Sequence, residues 1–144
     1  MLNAEFFTDT GHHREKNEDA GGIFYNMTEQ QLLVLCDGMG GHKAGEVASE
    51  FVVQRLKELF EEENLVEEHQ AEDWLRMKLQ KVNRELYSYA LTDDNFKGMG
   101  TTAVAALIFD KHAVIANIGD SRAYLVNSRE ICLLYTSDAA DEED

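Results

Sequence analysis

The sequence predicts an α+β fold in which antiparallel β-sheets stack on each other and helices flank them. Apolar segments of strand length come in hairpin pairs, and two long segments with helical periodicity separate these pairs. Elements of these two kinds bury their apolar faces by packing in layers. At 144 residues the chain has the length of one domain.

A predicted β-hairpin near the N-terminus brings two acidic residues together. Residues 20–25 form its first strand, and residues 26–30 form a turn into the apolar run 32–36. Asp19 begins one strand and Asp37 follows the end of the other, so the two carboxylates are expected at the same end of the sheet. Two adjacent carboxylates repel each other unless a cation bridges them.

The segment after Asp37 is rich in glycine, with four glycines between residues 38 and 45. Without side chains the backbone can approach a small charged ligand closely, and the acidic Asp37 favours a cation over a phosphate. The segment therefore predicts a metal site. A phosphate-binding P-loop is excluded because Glu46 and Val47 stand where that motif requires a lysine and a hydroxyl residue. The remaining alternative is a flexible turn with an incidental acidic residue.

The polar segment before the hairpin contains a candidate phosphate-binding residue. Residues 2–8 are predicted as a first strand, and the polar stretch that follows contains Arg14. The planar guanidinium of arginine suits bidentate contact with phosphate. The alternative is that Arg14 forms surface ion pairs with neighbouring glutamates, which contribute little.

Two amphipathic helices are predicted after the glycine-rich segment. Apolar residues recur at spacings of three and four from residue 44 to residue 60, and again from residue 75 to residue 89. Both helices are expected to lie against the sheet. The acid-rich connection 61–68 between them is predicted to offer the core no residues beyond Leu65 and Val66.

A second hairpin is predicted after the helices. Residues 103–109 and 112–118 are apolar strands joined by a two-residue turn. Asp120, beside Gly119, follows the end of the second strand, as Asp37 follows the end of an earlier one. Asp120 is therefore a second acidic residue at the end of an apolar strand.

Composition and charge exclude several classes of function. The net charge of −15 argues against nucleic acid or an anionic membrane surface as a partner. Cys36 and Cys132 have neither the spacing of a zinc site nor that of a disulfide framework. No apolar stretch has the length of a membrane span, and the N-terminus lacks the pattern of a signal peptide, so a cytoplasmic location is expected.

Four motifs occur along the chain: Arg14-x-x-Asn17-Glu18-Asp19, Asp37-Gly38-Met39-Gly40-Gly41-His42, Gly98-Met99-Gly100-Thr101-Thr102 and Gly119-Asp120-Ser121-Arg122. Together they resemble the motifs of the metal-dependent (type 2C, PPM) serine/threonine protein phosphatases, in that family's order and spacing. The form of the second motif is similar to the bacterial branch, which is usually paired with membrane-anchored serine/threonine kinases. The resemblance covers residues 1–131 and implies a four-layer αββα sandwich.

The resemblance implies a set of metal ligands. Asp37 would bridge two Mg²⁺ or Mn²⁺ ions, and the carbonyl of Gly38 would bind one of them. Glu18 and Asp19 would supply the acid for the second ion, and the bacterial pattern favours Asp19. Asp120 would help to hold a third, weaker ion.

The resemblance also implies the reaction and its partners. Water activated by the two metal ions would hydrolyse phosphoserine or phosphothreonine in proteins. Arg14 would hold the phosphate, and His42 would protonate the departing serine or threonine oxygen. The expected partners of the monomeric enzyme are substrates of a bacterial serine/threonine kinase and the kinase itself.

The last residues depart from the family pattern. The family continues with two further metal-binding aspartates, in Asp-Gly and Gly-x-x-Asp-Asn contexts, and residues 132–144 contain neither. This acidic tail is predicted to be disordered. Its departure from the family pattern is interpreted as an incomplete open reading frame that ends in an unrelated terminus. The alternative function is therefore a catalytically inactive fragment or pseudophosphatase that binds phosphopeptides or a kinase.

Overall fold

The structure is a computed structural model that describes residues 19–39, 43–110 and 112–118, together with the backbone of residues 124–126 and 131–133. The predicted strand at residues 2–8 lies outside these residues. The elements are β1 (Asp19–Tyr25), β2 (Gln31–Met39), α1 (Ala44–Glu61), α2 (Ala71–Ala90), β3 (Gly100–Ile108), β4 (Ala113–Ile118), β5 (Tyr124–Val126) and β6 (Ile131–Leu133), with short 3₁₀ turns at Glu68–Gln70 and Asp94–Phe96.

The four longer strands form one antiparallel sheet in the order β1-β2-β3-β4, and β5 pairs with β6 in a separate two-stranded sheet. Both α-helices lie between β2 and β3 in the chain, and both contact the four-stranded sheet. The predicted α+β fold with antiparallel strands and flanking helices is therefore confirmed. No helix in the described part of the chain has the length and apolarity needed to cross a bilayer.

The predicted β1–β2 hairpin is confirmed, and the side chain of Asn26 organises its turn. The Asn26 Oδ1 atom accepts hydrogen bonds from the backbone N–H groups of Thr28 and Gln30, at 3.2 and 2.9 Å. Glu29 adopts a left-handed conformation with φ of 64°. An asparagine that bonds to the backbone two residues ahead stabilises a tight turn, which here sets the register of the hairpin.

The predicted end of the second strand at Cys36 is wrong by three residues, since β2 continues to Met39. The reason is pairing with β3, in which Gly38 lies opposite Thr101 and Met39 lies opposite Gly100. Asp37 therefore lies inside a paired strand and not after its end.

The core lies between one face of the sheet and the two helices. Alternate residues of β2 and β3 point towards the helices, and every third or fourth residue of each helix points back. Fully burying one such leucine or phenylalanine contributes roughly 1.5–3 kcal/mol. The buried core residues include Leu32, Val34, Cys36, Val52, Leu56, Phe60, Leu75, Leu79, Val82, Leu86, Ala103, Ala105 and Leu107.

The two helices run antiparallel and are joined by an ion pair. Arg55 donates to both carboxylate oxygens of Glu85, through Nε at 3.0 Å and Nη2 at 3.1 Å. The ring of Phe51 stacks on that of Tyr89 with centroids 5.2 Å apart. Because the earlier residue of α1 contacts the later residue of α2, the start of α1 lies beside the end of α2.

The hairpin turn is attached to the connection between the helices at the opposite end of the sheet from Asp37. Gln30 forms a pair of 2.8 Å hydrogen bonds with the backbone of Val66, which is only 2% exposed. Leu65 is 50% exposed, so Val66 alone of the two predicted core residues is buried. These contacts join segments that lie 36 residues apart in the chain.

Candidate metal centre

Asp19 and Asp37 lie directly opposite each other in the β1–β2 pair. Side chains opposite each other in an antiparallel pair point to the same face of the sheet. Cys36 points into the helix-covered core, so Asp37, the next residue, points to the other face. The predicted proximity of the two acids is confirmed, although their role as metal ligands stays a prediction.

The environment of the pair restricts the hydration of its charges. Asp37 is half-buried, and the Oδ1 atom of Asp19 is buried. Two carboxylates held in this arrangement repel each other, and a divalent cation removes the repulsion. The geometry is therefore compatible with the predicted metal site at these two carboxylates.

A third residue, Thr102, extends the row across the sheet. Thr102 lies opposite Asp37 in the β2–β3 pair and is 5% exposed. Its hydroxyl accepts a hydrogen bond from the backbone N–H of Asp37 at 3.3 Å and donates one to the carbonyl of Asp37 at 3.4 Å. The sequence indicates Thr102 only as part of a family motif, since local patterns do not show which residues of two distant strands pair.

The entry into β3 explains how Thr102 reaches this position. Gly98 adopts a φ of 78°, a conformation that side chains disfavour. A 3.0 Å hydrogen bond from the backbone N–H of Met99 to the carbonyl of Phe96 closes the turn of residues 96–99 that contains Gly98. The chain therefore turns sharply before Gly100 and enters the sheet in a defined register.

Four of the predicted site residues lie outside the described residues: Arg14, Glu18, His42 and Asp120. Three of them are close in sequence to described residues at this end of the sheet. Glu18 precedes Asp19, His42 follows β2, and Asp120 follows β4, whose last residue, Ile118, pairs with Ala103 beside Thr102. Gly38, the remaining predicted ligand, is buried within β2 next to Asp37.

The described donors fit a hard divalent cation. Carboxylate and carbonyl oxygens suit Mg²⁺ and Mn²⁺, and Mg²⁺ is commonly held by one or two carboxylates and several waters. Within residues 19–39, 43–110 and 112–118 there is no cluster of three or more His, Cys, Asp or Glu residues that could hold a metal ion. The described part therefore supplies two carboxylates, those of Asp19 and Asp37, to the predicted metal site.

The nearby cysteine does not suit a soft metal or nucleophilic catalysis. Cys36 is a buried free thiol on the helix side of the sheet. Burial raises the pKa of its thiol to about 12, although a hydrogen bond with Thr101 acts in the opposite direction. The thiolate, which is the reactive and metal-binding form, is therefore strongly disfavoured at neutral pH.

Comparison with known proteins identifies the family. The sequence matches the family described as protein phosphatase 2C over residues 10–142. The chain belongs to the protein phosphatase 2C family. Within this family it is similar to the serine/threonine phosphatase stp of Listeria monocytogenes serovar 1/2a, with 46% identity over 128 residues. That match covers 88% of this chain and 51% of the relative, so the chain spans about half the length of the curated relatives it matches.

Solved structures of phosphatases share the fold. The serine/threonine phosphatase Stp1 from Staphylococcus aureus matches with a TM-score of 0.89 and 66% identity, over 95% of this chain and 54% of that one. The catalytic domain of the serine/threonine protein phosphatase PstP, solved in complex with two manganese ions, matches with a TM-score of 0.71 and 33% identity. The match covers 90% of this chain and 53% of the PstP chain.

Proposed function

We propose that this protein phosphatase 2C chain supplies the first half of a metal-dependent phosphatase that hydrolyses phosphoserine and phosphothreonine in proteins. The observation that carries the proposal is the pairing of Asp19 with Asp37 on one face of the sheet. Membership of the family supports the same activity, and relatives bear the name serine/threonine phosphatase. No observation on the described residues favours the alternative of a pseudophosphatase.

The proposed cofactors are Mn²⁺ or Mg²⁺ ions held by oxygen ligands. The PstP relative contains two manganese ions, which supports a dinuclear centre here. In the proposed site Asp37 would hold both ions, the Gly38 carbonyl would bind one, and Asp19, with Glu18 next to it in the sequence, would bind the other. Asp120 is proposed as a ligand of a third ion. When bound, such cations lower the pKa of water and offset charge on the phosphoryl oxygens.

The remaining roles fall to side chains that hold the phosphate and move a proton. Arg14 is proposed to orient the substrate phosphate through two parallel N–H···O contacts. His42 is proposed to donate a proton to the serine or threonine oxygen as the phosphorus–oxygen bond breaks. Substrates would be phosphoproteins made by a serine/threonine kinase, with the kinase itself among them. The expected monomeric state and cytoplasmic location stay predictions.

Activity is tested by completing the chain. Residues 1–131 are joined to the segment of the Listeria monocytogenes relative that follows its matched region, and hydrolysis of a phosphothreonine peptide is measured with Mn²⁺. The fusion is expected to hydrolyse the peptide, and its Asp37→Asn variant is expected to be inactive. The 144-residue chain alone is expected to stay at the background rate, because the resemblance places two further metal-binding aspartates downstream. Turnover in the fusion that survives Asp37→Asn would contradict the proposal.

A further inference from the structure

We infer that Thr102 is a positioning residue for Asp37, holding the backbone of Asp37 through its hydroxyl so that the carboxylate faces that of Asp19. The inference rests on the proposed function, because it concerns the metal site assigned to these two acids. Thr102 itself is not proposed as a ligand.

The geometry of the contact carries the inference. The hydroxyl lies 3.3 Å from the N atom and 3.4 Å from the O atom of Asp37. These two atoms belong to the peptide units on either side of the Asp37 Cα atom. One hydroxyl therefore links both units, which restricts φ and ψ of Asp37 and with them the direction of its Cα–Cβ bond.

The restraint acts on a residue that strand pairing already holds in register. Asp37 is paired with Asp19 on one side and with Thr102 on the other. Both hydrogen bonds are long for their type, so each alone adds little stability, and the restraint comes from the two acting together on one residue. Thr102 is 5% exposed, and in an environment of low dielectric constant even weak hydrogen bonds retain their direction.

The neighbouring Thr101 offers a matched control. Thr101 stands next to Thr102 in β3 but lies opposite Gly38. Its hydroxyl donates to the carbonyl of Thr102 at 2.7 Å, and it forms a side-chain hydrogen bond with Cys36 on the helix side of the sheet. Thr101→Val therefore removes a threonine hydroxyl from the same strand without removing a contact to Asp37.

The test measures Mn²⁺ affinity of the 144-residue chain by titration calorimetry. Asp37→Asn defines non-specific binding, which a chain with a net charge of −15 is expected to show. Thr102→Val is expected to weaken the Asp37-dependent affinity by at least about 10-fold, since loss of an outer partner of a metal ligand typically costs 10–100-fold. Thr102→Ser, which keeps the hydroxyl, and Thr101→Val are expected to stay within about 3-fold of the parent.

A second readout needs no metal. Loss of the Thr102 hydroxyl, which accepts a hydrogen bond from the Asp37 N–H group, is expected to speed hydrogen exchange of that amide in Thr102→Val, as measured by NMR. Thr102→Ser is expected to restore the parent rate. Thr102→Ala is a second hydroxyl deletion in case Thr102→Val does not fold.

The outcomes separate this inference from the proposed function. Asp37-dependent binding that is unchanged in Thr102→Val would overturn the role of Thr102 and leave the metal site intact. Absence of any Asp37-dependent binding in the parent would contradict the metal site, and the inference would fall with it. Failure of both Thr102→Val and Thr102→Ala to fold would make the hydroxyl a folding determinant and would also overturn the positioning role.

Discussion

Replacing Asp37 by asparagine is predicted to stabilise the metal-free protein and to remove its response to Mn²⁺. Asp37 lies opposite Asp19, and the Oδ1 atom of Asp19 is buried. For side chains about 5 Å apart, the repulsion of two unit charges is roughly 3 kcal/mol at an effective dielectric constant of 20 and about 0.8 kcal/mol in bulk water. Because Asp37 is half-buried and the carboxylates can turn apart, we expect the free energy of unfolding to rise by about 1 kcal/mol.

The assay is urea unfolding at pH 7, followed by the fluorescence of Trp74, the single tryptophan, with and without Mn²⁺. A ligand at about 100 times its dissociation constant stabilises the folded state by about 2.7 kcal/mol, so the parent is expected to gain about this amount. The Asp37→Asn variant is expected to gain nothing. Glu50→Gln, which removes an exposed carboxylate from α1, serves as the control for net charge.

One result would refute this reasoning directly. An Asp37→Asn variant that is less stable than the parent without metal, and that still gains stability with Mn²⁺, would show that the paired carboxylates neither repel each other nor hold the cation. If Glu50→Gln raises the free energy of unfolding of the metal-free protein by the same amount, the stabilisation by Asp37→Asn would be due to net charge alone.

Three further predictions concern phosphate binding, the helix pair and the buried thiol. Arg14→Ala in the active fusion is expected to raise KM for a phosphopeptide with kcat unchanged, since it removes binding shared by substrate and transition state; a fall in kcat alone would assign Arg14 another role. The hydrogen bonds from Arg55 hold the pKa of Glu85 below its usual 4.5. The ion pair therefore stabilises the fold fully above pH 4.5, by up to about 1 kcal/mol, and this contribution is lost as the pH falls through the lowered pKa. Acid unfolding of Glu85→Gln should lack this component, and identical profiles would contradict the assignment. Cys36, with its pKa raised to about 12, is expected to resist iodoacetamide at pH 8 in the folded protein, and rapid alkylation would contradict its burial.

Local patterns in the sequence were sufficient for the elements that depend on nearby residues. The β1–β2 hairpin was predictable because strand-like segments flank a short polar turn. The helices were predictable because their apolar residues repeat at spacings of three and four over many turns. The proximity of Asp19 and Asp37 followed from the hairpin alone.

Features that depend on distant pairing were not predictable in the same way. The extension of β2 to Met39 requires β3 as a partner, and β3 begins only after both helices. The contact between Thr102 and Asp37 joins residues 65 positions apart. Which of Leu65 and Val66 is buried was likewise not predictable, because Val66 forms its hydrogen bonds with Gln30, 36 residues away in the chain. Periodicity reports which face of an element is buried but not which residue of another element lies opposite.

The most direct test of the metal centre is the location of bound Mn²⁺ by NMR. Mn²⁺ is paramagnetic and broadens the signals of nearby nuclei, so sub-stoichiometric addition reports where it binds. Gln31 begins β2 and Asp37 lies near its other end, about 20 Å away at about 3.3 Å per residue. Broadening is predicted to be greatest at Asp19, Asp37 and Thr102, and much weaker at Asn26 and in the acidic connection 61–68. Greatest broadening in that acidic connection, or equal broadening along β2, would contradict the assignment of the paired aspartates as the metal site.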